Sequence, residues 1–351
     1  MIAPLVSFVI PCFRSEKYVK DIICDVLRQT FNDWELIAVG NGPGQDLQKK
    51  IFDDASASDP RISYVSILDI GVSKARNAGI EKAAGKWIAF VDADDRLPAY
   101  WLDNILKYSE NDPDIVVGGI TYKNLGTGEV LCSDLALPSD GASCRDAKNF
   151  LPLLLSDIAA MHSPCSKLYK RDLIIKSKIR FRESFSIYED CIFNLELALS
   201  CTSMSFLRQT GYEYIQRPGE SAIGRSHDCL ADAIVVRRDL IRRVLDRAGC
   251  SSDEVFRRVE SQYALDALDI CLNEFREGAK RGFRDKTIFV RNIFADARLR
   301  TAWKHSRSLM SNLPLAAFRM FHALNAPWLC VAAFSFLFSV RRFWRRKYAS
   351  P

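Results

Sequence analysis

Three short apolar segments near the amino terminus alternate with segments in which apolar residues recur at helical spacing. The apolar segments are residues 5–11, 34–39 and 87–91, and all three are rich in β-branched and aromatic side chains. Runs of this length and composition predict strands that are buried on both faces. Because such strands alternate with amphipathic helices, the pattern predicts an α/β fold, a mostly parallel sheet flanked by helices.

The segments between and after these strands complete the prediction. Gly85 is predicted to end the third helix as a carboxyl-terminal cap. The helices are predicted at residues 16–30, 46–55, 73–84, 149–160 and 192–200, with further strands at 62–67, 115–122 and 129–132. Residues 228–279 show a helical pattern with many surface charges, which indicates a carboxyl-terminal helical region.

Polar or flexible clusters follow three of the predicted strands. They are residues 12–14, the turn Gly40-Asn41-Gly42-Pro43-Gly44, and residues 92–95. Parallel sheets bind ligands at the carboxyl ends of their strands. We therefore expect the functional site where these three clusters converge.

The last cluster contains three carboxylates within four residues, Asp92, Asp94 and Asp95. Such side chains repel one another beside a buried strand unless a cation lies between them. Mg²⁺ and Mn²⁺ prefer oxygen ligands, and Mg²⁺ commonly combines one or two carboxylates with substrate phosphates. The alternative is a solvated acidic turn that caps a helix.

Composition and cysteine spacing narrow the class of protein. Hydrophobic residues make up 48% and charged residues 26% of the 351 residues, which excludes a disordered chain. The 11 cysteines include no C-x-x-C pair and no zinc-type array, which favours reduced thiols in the cytoplasm. No basic region precedes the first apolar run, so no signal peptide is predicted.

The carboxyl-terminal segment is apolar and then basic. Residues 313–340 are mostly apolar, and residues 341–347 read Arg-Arg-Phe-Trp-Arg-Arg-Lys. The stretch 324–340 is shorter than the about 20 residues of a spanning helix and contains Pro327. It predicts an interfacial or re-entrant helix that attaches the protein peripherally to the inner face of the plasma membrane.

Other interpretations of this tail stay open. In the first alternative, the apolar helix packs on the protein's own core or on a second subunit instead of a membrane. In the second, the basic residues form a solvated helical face. A nucleic-acid partner is not expected, because the aromatic residues stand beside long apolar runs that suit lipid better than stacked bases.

Several segments together resemble family 2 glycosyltransferases, which have the GT-A fold. Val9-Ile10-Pro11-Cys12-Phe13-Arg14 is similar to the family opening I-P-x-[YF]-N, residues 71–80 to G-x-S-x-A-R-N-x-G-[IL], and residues 92–95 to D-x-D-D. Residues 15–39 follow the family pattern between the first two strands. Residues 165–172, 187–194 and 214–217 with Ser221 resemble later segments less specifically, so the resemblance covers about residues 7–222.

The resemblance implies an inverting, metal-dependent enzyme that moves a sugar from a nucleotide-diphosphate donor, expected to be a UDP-sugar, to an acceptor hydroxyl. Asp190 would be the general base, and Asp94 and Asp92 would hold Mg²⁺ or Mn²⁺. The expected donor-binding residues are Pro11, Phe13, Asn41, Arg76 and Asp92, and the expected supporting residues are Asp95, Glu189, Lys167 and Arg217.

Without the resemblance, two of these sites have ordinary structural explanations. Arg76 would be a surface arginine on a helix, and Glu189 with Asp190 would be acids enriched at a helix amino terminus. His227 is interpreted as a core or surface histidine in preference to an extra metal ligand.

The chain departs from the family pattern at the second strand. The family usually has V-D-D-G-S there, with an aspartate on the uracil ring, whereas this chain has Val39-Gly40-Asn41-Gly42-Pro43. The Asn41 amide offers both an acceptor and a donor but no charge, which puts the base preference in doubt. Cys12 and Arg14, where the family often has Thr and Asn, add to that doubt.

Four regions are predicted. They are a nucleotide-sugar-binding half at 1–120, an acceptor-binding half at 121–225, a helical extension at 226–312 and a membrane-associating tail at 313–351. The acceptor is expected to be a glycan or glycolipid in polysaccharide, capsule or lipopolysaccharide synthesis. The alternatives are a degenerate sugar-nucleotide-binding protein and a nucleotidyltransferase, for which residues 12–15 lack the Gly-rich phosphate loop.

Overall fold

The computed structural model describes residues 3–132, 143–144, 162–217, 227–249, 253–276, 279–305 and 313–348. The strands are β1 (Val6–Cys12), β2 (Trp34–Asn41), β3 (Ile62–Ile67), β4 (Trp87–Phe90), β5 (Ile115–Asn124), β6 (Val130–Cys132), β7 (Ser143–Cys144), β8 (Lys167–Lys170) and β9 (Met204–Gln216). The helices of the first part of the chain are α1 (Val19–Leu27), α2 (Gln45–Ser58), α3 (Val72–Lys82), α4 (Trp101–Leu106), α5 (Arg171–Ser177) and α6 (Glu189–Ala198). Those of the second part are α7 (Leu230–Ala248), α8 (Asp253–Asn273), α9 (Phe283–Ala295), α10 (Ala297–His305), α11 (Leu313–Ala323) and α12 (Pro327–Tyr348).

The strands form one mixed sheet in the order β3-β2-β1-β4-β8-β5-β9-β7, with β6 paired to β5. Strands β3, β2, β1 and β4 are parallel, whereas β8 runs antiparallel between β4 and β5. All residues of β1 and β4 are buried, as expected of central strands covered by helices on both faces. The predicted α/β architecture of GT-A type is confirmed.

Two glycines set how closely the helix α3 region approaches β1. A Cβ atom on Gly79 would lie 2.2 Å from Val9 Cγ1, and one on Gly85 would lie 2.7 Å from the Ser7 main-chain nitrogen. The prediction that Gly85 caps α3 is wrong. The helix ends at Lys82 with Ala83 at its cap, and Gly85 is needed because the backbone there packs directly on β1.

The chain divides into two compact units. The first comprises Met1–Ser221 with Asp239–Cys250, and the second comprises Ala222–Arg238 with Ser251–Pro351. The predicted four-part division stays a prediction. Sequence patterns did not indicate β8 or the long strand β9, and the predicted helix 149–160 lies outside the described residues.

The second unit is helical and has a core of its own. The buried members of this core come from α8 to α12 and include Tyr263, Leu268, Phe275, Val290, Phe294, Trp303, Leu315, Phe318, Phe321, Cys330, Val331 and Phe334. The apolar tail, predicted as one interfacial stretch, forms two helices, because Pro327 starts α12 at the helical position that tolerates proline best. Among the described residues, no helix has both the length and the apolar character needed to cross a bilayer.

Candidate functional site

The three polar clusters lie at one edge of the sheet. Strand β1 lies between β2 and β4, and Cys12 at its end is in register with Gly40 near the end of β2. The acidic turn Asp92–Asp95 follows β4 directly. Parallel neighbours in the sheet therefore bring these strand ends together, as the sequence predicted.

The acidic turn is anchored to β9 through Asp95, which is buried. Its Oδ2 accepts a 2.6 Å hydrogen bond from the Tyr212 hydroxyl, and its Oδ1 accepts one of 3.1 Å from the Ile215 main-chain N–H. Burial, together with the charges of Asp92 and Asp94, raises the pKa of Asp95 well above its usual value. Asp95 thus fixes the acidic turn to β9. Its hydrogen-bond partner Tyr212 was not predicted from the sequence.

Asp94 points its carboxylate at an arginine from the end of β9. Arg217 Nη1 donates to Asp94 Oδ2 at 3.1 Å, and Nη2 donates to the Asp94 carbonyl oxygen at 2.7 Å. The guanidinium also lies 4.2 Å from the centre of the Tyr18 ring. The Asp94 side chain retains 46% exposure, so it stays accessible from solvent.

Arg76 joins the two acidic clusters of the site. Its Nη2 donates to Asp92 Oδ1 at 2.9 Å, and its Nη1 lies 3.7 Å from Glu189 Oε1. Burial alone would lower the pKa of Arg76, but the charges of Asp92 and Glu189 outweigh it and raise that pKa. The side chain is only 5% exposed, so the interpretation of Arg76 as a surface arginine is wrong.

Glu189 and Asp190 begin α6 after Tyr188, whose φ of 62° is uncommon for a residue other than glycine. Asp190 Oδ1 accepts a 2.7 Å hydrogen bond from the Cys191 N–H. Burial raises the pKa of both carboxyls, and that of Glu189 reaches about 7 with the charge of Asp190 as the second cause. The pair therefore combines a position at a helix amino terminus with the burial that functional carboxyls often show.

A neighbouring asparagine holds the loop that leads into this pair. Asn77 Nδ2 donates to the Phe181 carbonyl oxygen, and the Phe181 N–H donates to Asn77 Oδ1, both at 2.9 Å. Asn77 follows Arg76 in the sequence motif, which is the signal that could have identified it. Adjacent residues of α3 thus contact both the acidic turn and the segment before α6.

The structure offers oxygen ligands that fit a hard divalent cation. Ligand atoms of Asp92, Asp95 and Cys165 lie within 4.8 Å of one another. Both Asp95 oxygens already accept hydrogen bonds, and burial raises the pKa of the Cys165 thiol well above its usual value. We therefore keep Asp92 and the accessible Asp94 as the predicted ligands, since thiols suit softer metals.

The donor side of the edge is formed by the ends of β1 and β2. Asn41 is buried, and its Nδ2 donates to the Gly71 carbonyl oxygen at 2.8 Å. No described residue donates a hydrogen bond to Asn41 Oδ1. Phe13, 43% exposed, lies over Gly42, where a Cβ would come within 2.6 Å of its ring, and Pro11 is buried within β1.

Lys167, an expected supporting residue, and His227, interpreted as a core or surface histidine, are both buried. Lys167 is buried, which lowers its pKa to about 7, and its ammonium group donates to the carbonyl oxygens of Ser163 and Cys165. It thereby supports the loop before β8. His227 is buried in the second unit, where its main chain exchanges two hydrogen bonds with the Asn273 side chain.

Comparisons with known proteins agree with this arrangement. Residues 7–176 match the model of the family described as "Glycosyl transferase family 2". An uncharacterized glycosyltransferase, EpsJ of Bacillus subtilis, is 28% identical over 221 residues, which are 61% of this chain and 62% of that protein. A cholesterol galactosyltransferase of Borreliella burgdorferi is 26% identical over 220 residues, which are 61% of each chain. The match thus spans about three-fifths of the length of these relatives.

A solved structure extends the similarity of the fold to most of the chain. The crystal structure of residues 1–349 of TarS from S. aureus has a TM-score of 0.56 at 19% identity, covering 92% of this chain and 89% of that one. A structure of the same protein in complex with UDP has a TM-score of 0.55 at 18% identity, covering 88% and 91%. The motifs at residues 9–14, 71–80 and 92–95 lie within residues 7–176, the segment of this chain that matches glycosyltransferase family 2.

Proposed function

We propose that the chain is an inverting glycosyltransferase that uses a divalent cation and a nucleotide-diphosphate sugar. The observation that carries the proposal is Arg76, which contacts both Asp92 at the end of β4 and Glu189 beside Asp190. A buried guanidinium between the two acidic clusters would bind a donor phosphate beside Asp92 and would lie close to Asp190, the proposed partner of the acceptor hydroxyl.

Asp94 and Asp92 are the proposed ligands of Mg²⁺ or Mn²⁺, since accessible carboxylates at a strand end suit a hard cation. When bound, the cation supplies Lewis-acid stabilisation of the diphosphate leaving group. Arg76 has Nε and Nη1 atoms without hydrogen-bond partners among the described residues. A buried donor with unmet capacity would favour an anionic ligand.

Asp190 is the proposed general base, and it would take the proton of the acceptor hydroxyl as that oxygen attacks the anomeric carbon. A single displacement of this kind inverts the configuration at that carbon. Glu189, whose pKa is raised to about 7, lies beside it and shares Arg76 as a counter-ion. The raised pKa of Asp190 suits a base that must accept a proton near neutral pH.

The base of the donor is proposed to be uracil. The Asn41 amide is oriented by Gly71, so its Oδ1 is an acceptor for the N3–H that uracil carries. The UDP complex of the S. aureus protein supports this choice for a chain of the same fold. The acceptor is proposed to be a glycan or glycolipid of the cell surface, and the sterol acceptor named for the Borreliella relative supports a lipid.

A donor screen tests this proposal. With Mn²⁺ present, UDP should raise the melting temperature more than GDP, and Asn41→Ala should weaken UDP binding about tenfold, the effect of one lost buried hydrogen bond. The control is Asn32→Ala, an exposed asparagine two residues before β2 begins. A larger shift with GDP, or unchanged UDP affinity in Asn41→Ala, would contradict the assignment of Asn41.

The second candidate is a degenerate protein that binds the donor without transferring sugar, which the change to Gly40-Asn41 favours. Release of UDP from UDP-sugars with Mn²⁺ separates the two. Turnover that requires Asp190 supports the enzyme, whereas tight binding with no hydrolysis and no transfer to any hydroxyl acceptor supports the degenerate protein.

We also propose that α12 attaches the protein to the cytoplasmic face of a membrane. Cys330, Val331 and Phe334 on one side of α12 are buried in the core of the second unit. Trp328 and Phe336 point away from this buried side and are 56% and 69% exposed, and Leu337, nearer to it, is 56% exposed. The sequence of the last turns adds Arg341, Arg342, Arg345, Arg346 and Lys347, charges that complement anionic lipid.

A vesicle assay tests the attachment. Trp328→Ser with Phe336→Ser should reduce co-sedimentation with phosphatidylserine-containing vesicles about tenfold, because two large apolar side chains would no longer enter the interface. Phe283→Ser, which removes an exposed phenylalanine from α9, is the control. Unchanged vesicle binding contradicts the proposal, and loss of a dimer in light scattering would favour the second-subunit interpretation.

A further inference from the structure

Arg217 contacts Asp94, a proposed ligand of the metal ion, and therefore occupies space beside this carboxylate that a bound ion would need. Its guanidinium donates to both the carboxylate and the carbonyl oxygen of Asp94, and Nη1 also donates to the Ile215 carbonyl oxygen at 3.2 Å. The Tyr18 ring lies beneath it at 4.2 Å. The side chain is only 15% exposed, so these contacts hold it in one defined place.

Each carboxylate of the acidic turn has a protein donor of its own. Asp92 contacts Arg76, Asp95 accepts from Tyr212 and Ile215, and Asp94 contacts Arg217. Two guanidiniums, one hydroxyl and one main-chain N–H therefore offset the mutual repulsion of the three acids. A cation that binds Asp94 shares this carboxylate with Arg217 at close range, so the positive charge of the arginine competes with the metal for this ligand.

A displaced guanidinium needs another anion, because leaving a charged group without a partner in a partly buried site costs free energy. A diphosphate presents such an anion, and planar guanidiniums bind phosphate oxygens through paired hydrogen bonds. The exchange is favourable only when the nucleotide arrives with the metal. Metal alone would displace Arg217 without supplying a new anionic partner for its guanidinium.

We propose that Arg217 is an internal counter-ion that holds Asp94 in the donor-free enzyme and transfers to the diphosphate when metal and nucleotide bind together. The inference rests on the proposed metal and donor site and adds a positioning role for Arg217 to it. Its consequence is that the enzyme binds metal weakly by itself. Metal and nucleotide then strengthen each other's binding by the same factor, as linkage requires.

The chain provides a closely matched control pair. Arg61 contacts Asp59 at 2.6 Å, and its guanidinium lies 3.7 Å from the centre of the Trp34 ring, so it has both the carboxylate and the aromatic contact of Arg217. This pair precedes β3 and therefore lies at the amino-terminal edge of the parallel strands. Arg61→Gln removes a comparable interaction away from the site.

The test measures binding of Mn²⁺ to the full-length protein without nucleotide, from the electron paramagnetic resonance signal of the free ion. Arg217→Gln should bind Mn²⁺ about tenfold more tightly than wild type, because Asp94 no longer has a competing cation. With Mn²⁺ saturating, the same variant should bind UDP about tenfold more weakly. The affinities of Arg217→Lys for Mn²⁺ and for UDP should lie between those of wild type and Arg217→Gln. Arg61→Gln should match wild type in both measurements.

Two different failures are distinguishable. If wild type binds UDP and Mn²⁺ together but Arg217→Gln gains no affinity for Mn²⁺ alone, the counter-ion role is wrong and the proposed function stands. If wild type binds no UDP with Mn²⁺, the proposed donor site is wrong and the inference fails with it. A gain in Mn²⁺ affinity with an unchanged affinity for UDP overturns the transfer to the diphosphate.

Discussion

Replacing Asp190 with asparagine is expected to abolish sugar transfer while leaving nucleotide binding intact. The asparagine side chain has nearly the same shape and its oxygen still accepts the hydrogen bond from the Cys191 N–H, so α6 should keep its start. It cannot accept the proton of the acceptor hydroxyl. Loss of a positioned general base lowers rates by about 10²–10⁴-fold, and we expect the upper part of that range.

The measurement compares initial rates of transfer with binding of UDP and Mn²⁺. Asp172→Asn is the matched control, because Asp172 is also the second residue of a helix, α5, but it is exposed and paired with Lys176. Asp172→Asn should retain the wild-type rate. Transfer by Asp190→Asn at the wild-type rate would show that another group removes the proton.

The same assignment predicts how the rate depends on pH. A base must be ionised to act, and burial raises the pKa of Asp190 above that of an ordinary aspartate. The rate should therefore fall with decreasing pH at a higher pH than an exposed aspartate would give. Glu189→Gln should move this acid limb to lower pH, because removing a neighbouring negative charge makes Asp190 easier to ionise.

The second large effect is expected at the acidic turn. Asp94→Ala should remove the rise in melting temperature that Mn²⁺ and UDP produce together, and it should reduce transfer at least about 100-fold. The accessible carboxylate is the side chain that a cation can reach after Arg217 leaves, whereas both Asp95 oxygens already accept hydrogen bonds. Without Asp94, the cation loses a charged ligand that the rest of the turn does not replace.

Asp59→Ala is the control for this measurement, since it breaks the Asp59–Arg61 pair at the other edge of the sheet. It should lower stability slightly and leave the shift produced by Mn²⁺ and UDP unchanged. If Asp94→Ala keeps the full metal-dependent shift and Asp92→Ala loses it, Asp92 alone holds the cation and Asp94 has been assigned wrongly.

The central strands could be predicted because their environment is simple. Most residues of β1, β2 and β4 are buried, so the sequence there is largely apolar, and the polar Ser7 and Glu35 within it hydrogen-bond to each other. Strand β9 was not predicted, because its sequence is mixed and its neighbour in the sheet is distant along the chain. Its residues, Met204–Gln216, mix apolar side chains with Arg208, Gln209, Thr210 and Gly211, and its pairing with β5 joins segments about ninety residues apart.

The candidate site shows the same division. Asp92, Asp94 and Asp95 were found from a local motif, because these acids stand next to one another at a strand end, whereas Asp190 was singled out by the family resemblance. Tyr212 as the partner of Asp95 and Arg217 as the partner of Asp94 were not foreseen, since β9 reaches the acidic turn from more than a hundred residues away. The burial of Arg76 could not be predicted either, because the amphipathic pattern of this helix suggests an exposed position for an arginine.

By itself, the sequence determined the mostly parallel α/β sheet, the edge at which its polar clusters meet and the match of residues 7–176 to glycosyltransferase family 2, because burial on both faces and strand-end motifs are written in neighbouring residues. Only the tertiary structure decided which guanidinium faces which carboxylate and that, among the described residues, none donates a hydrogen bond to the side-chain oxygen of Asn41. Those pairings depend on distances between side chains from separate elements, and those distances exist only once the chain has folded.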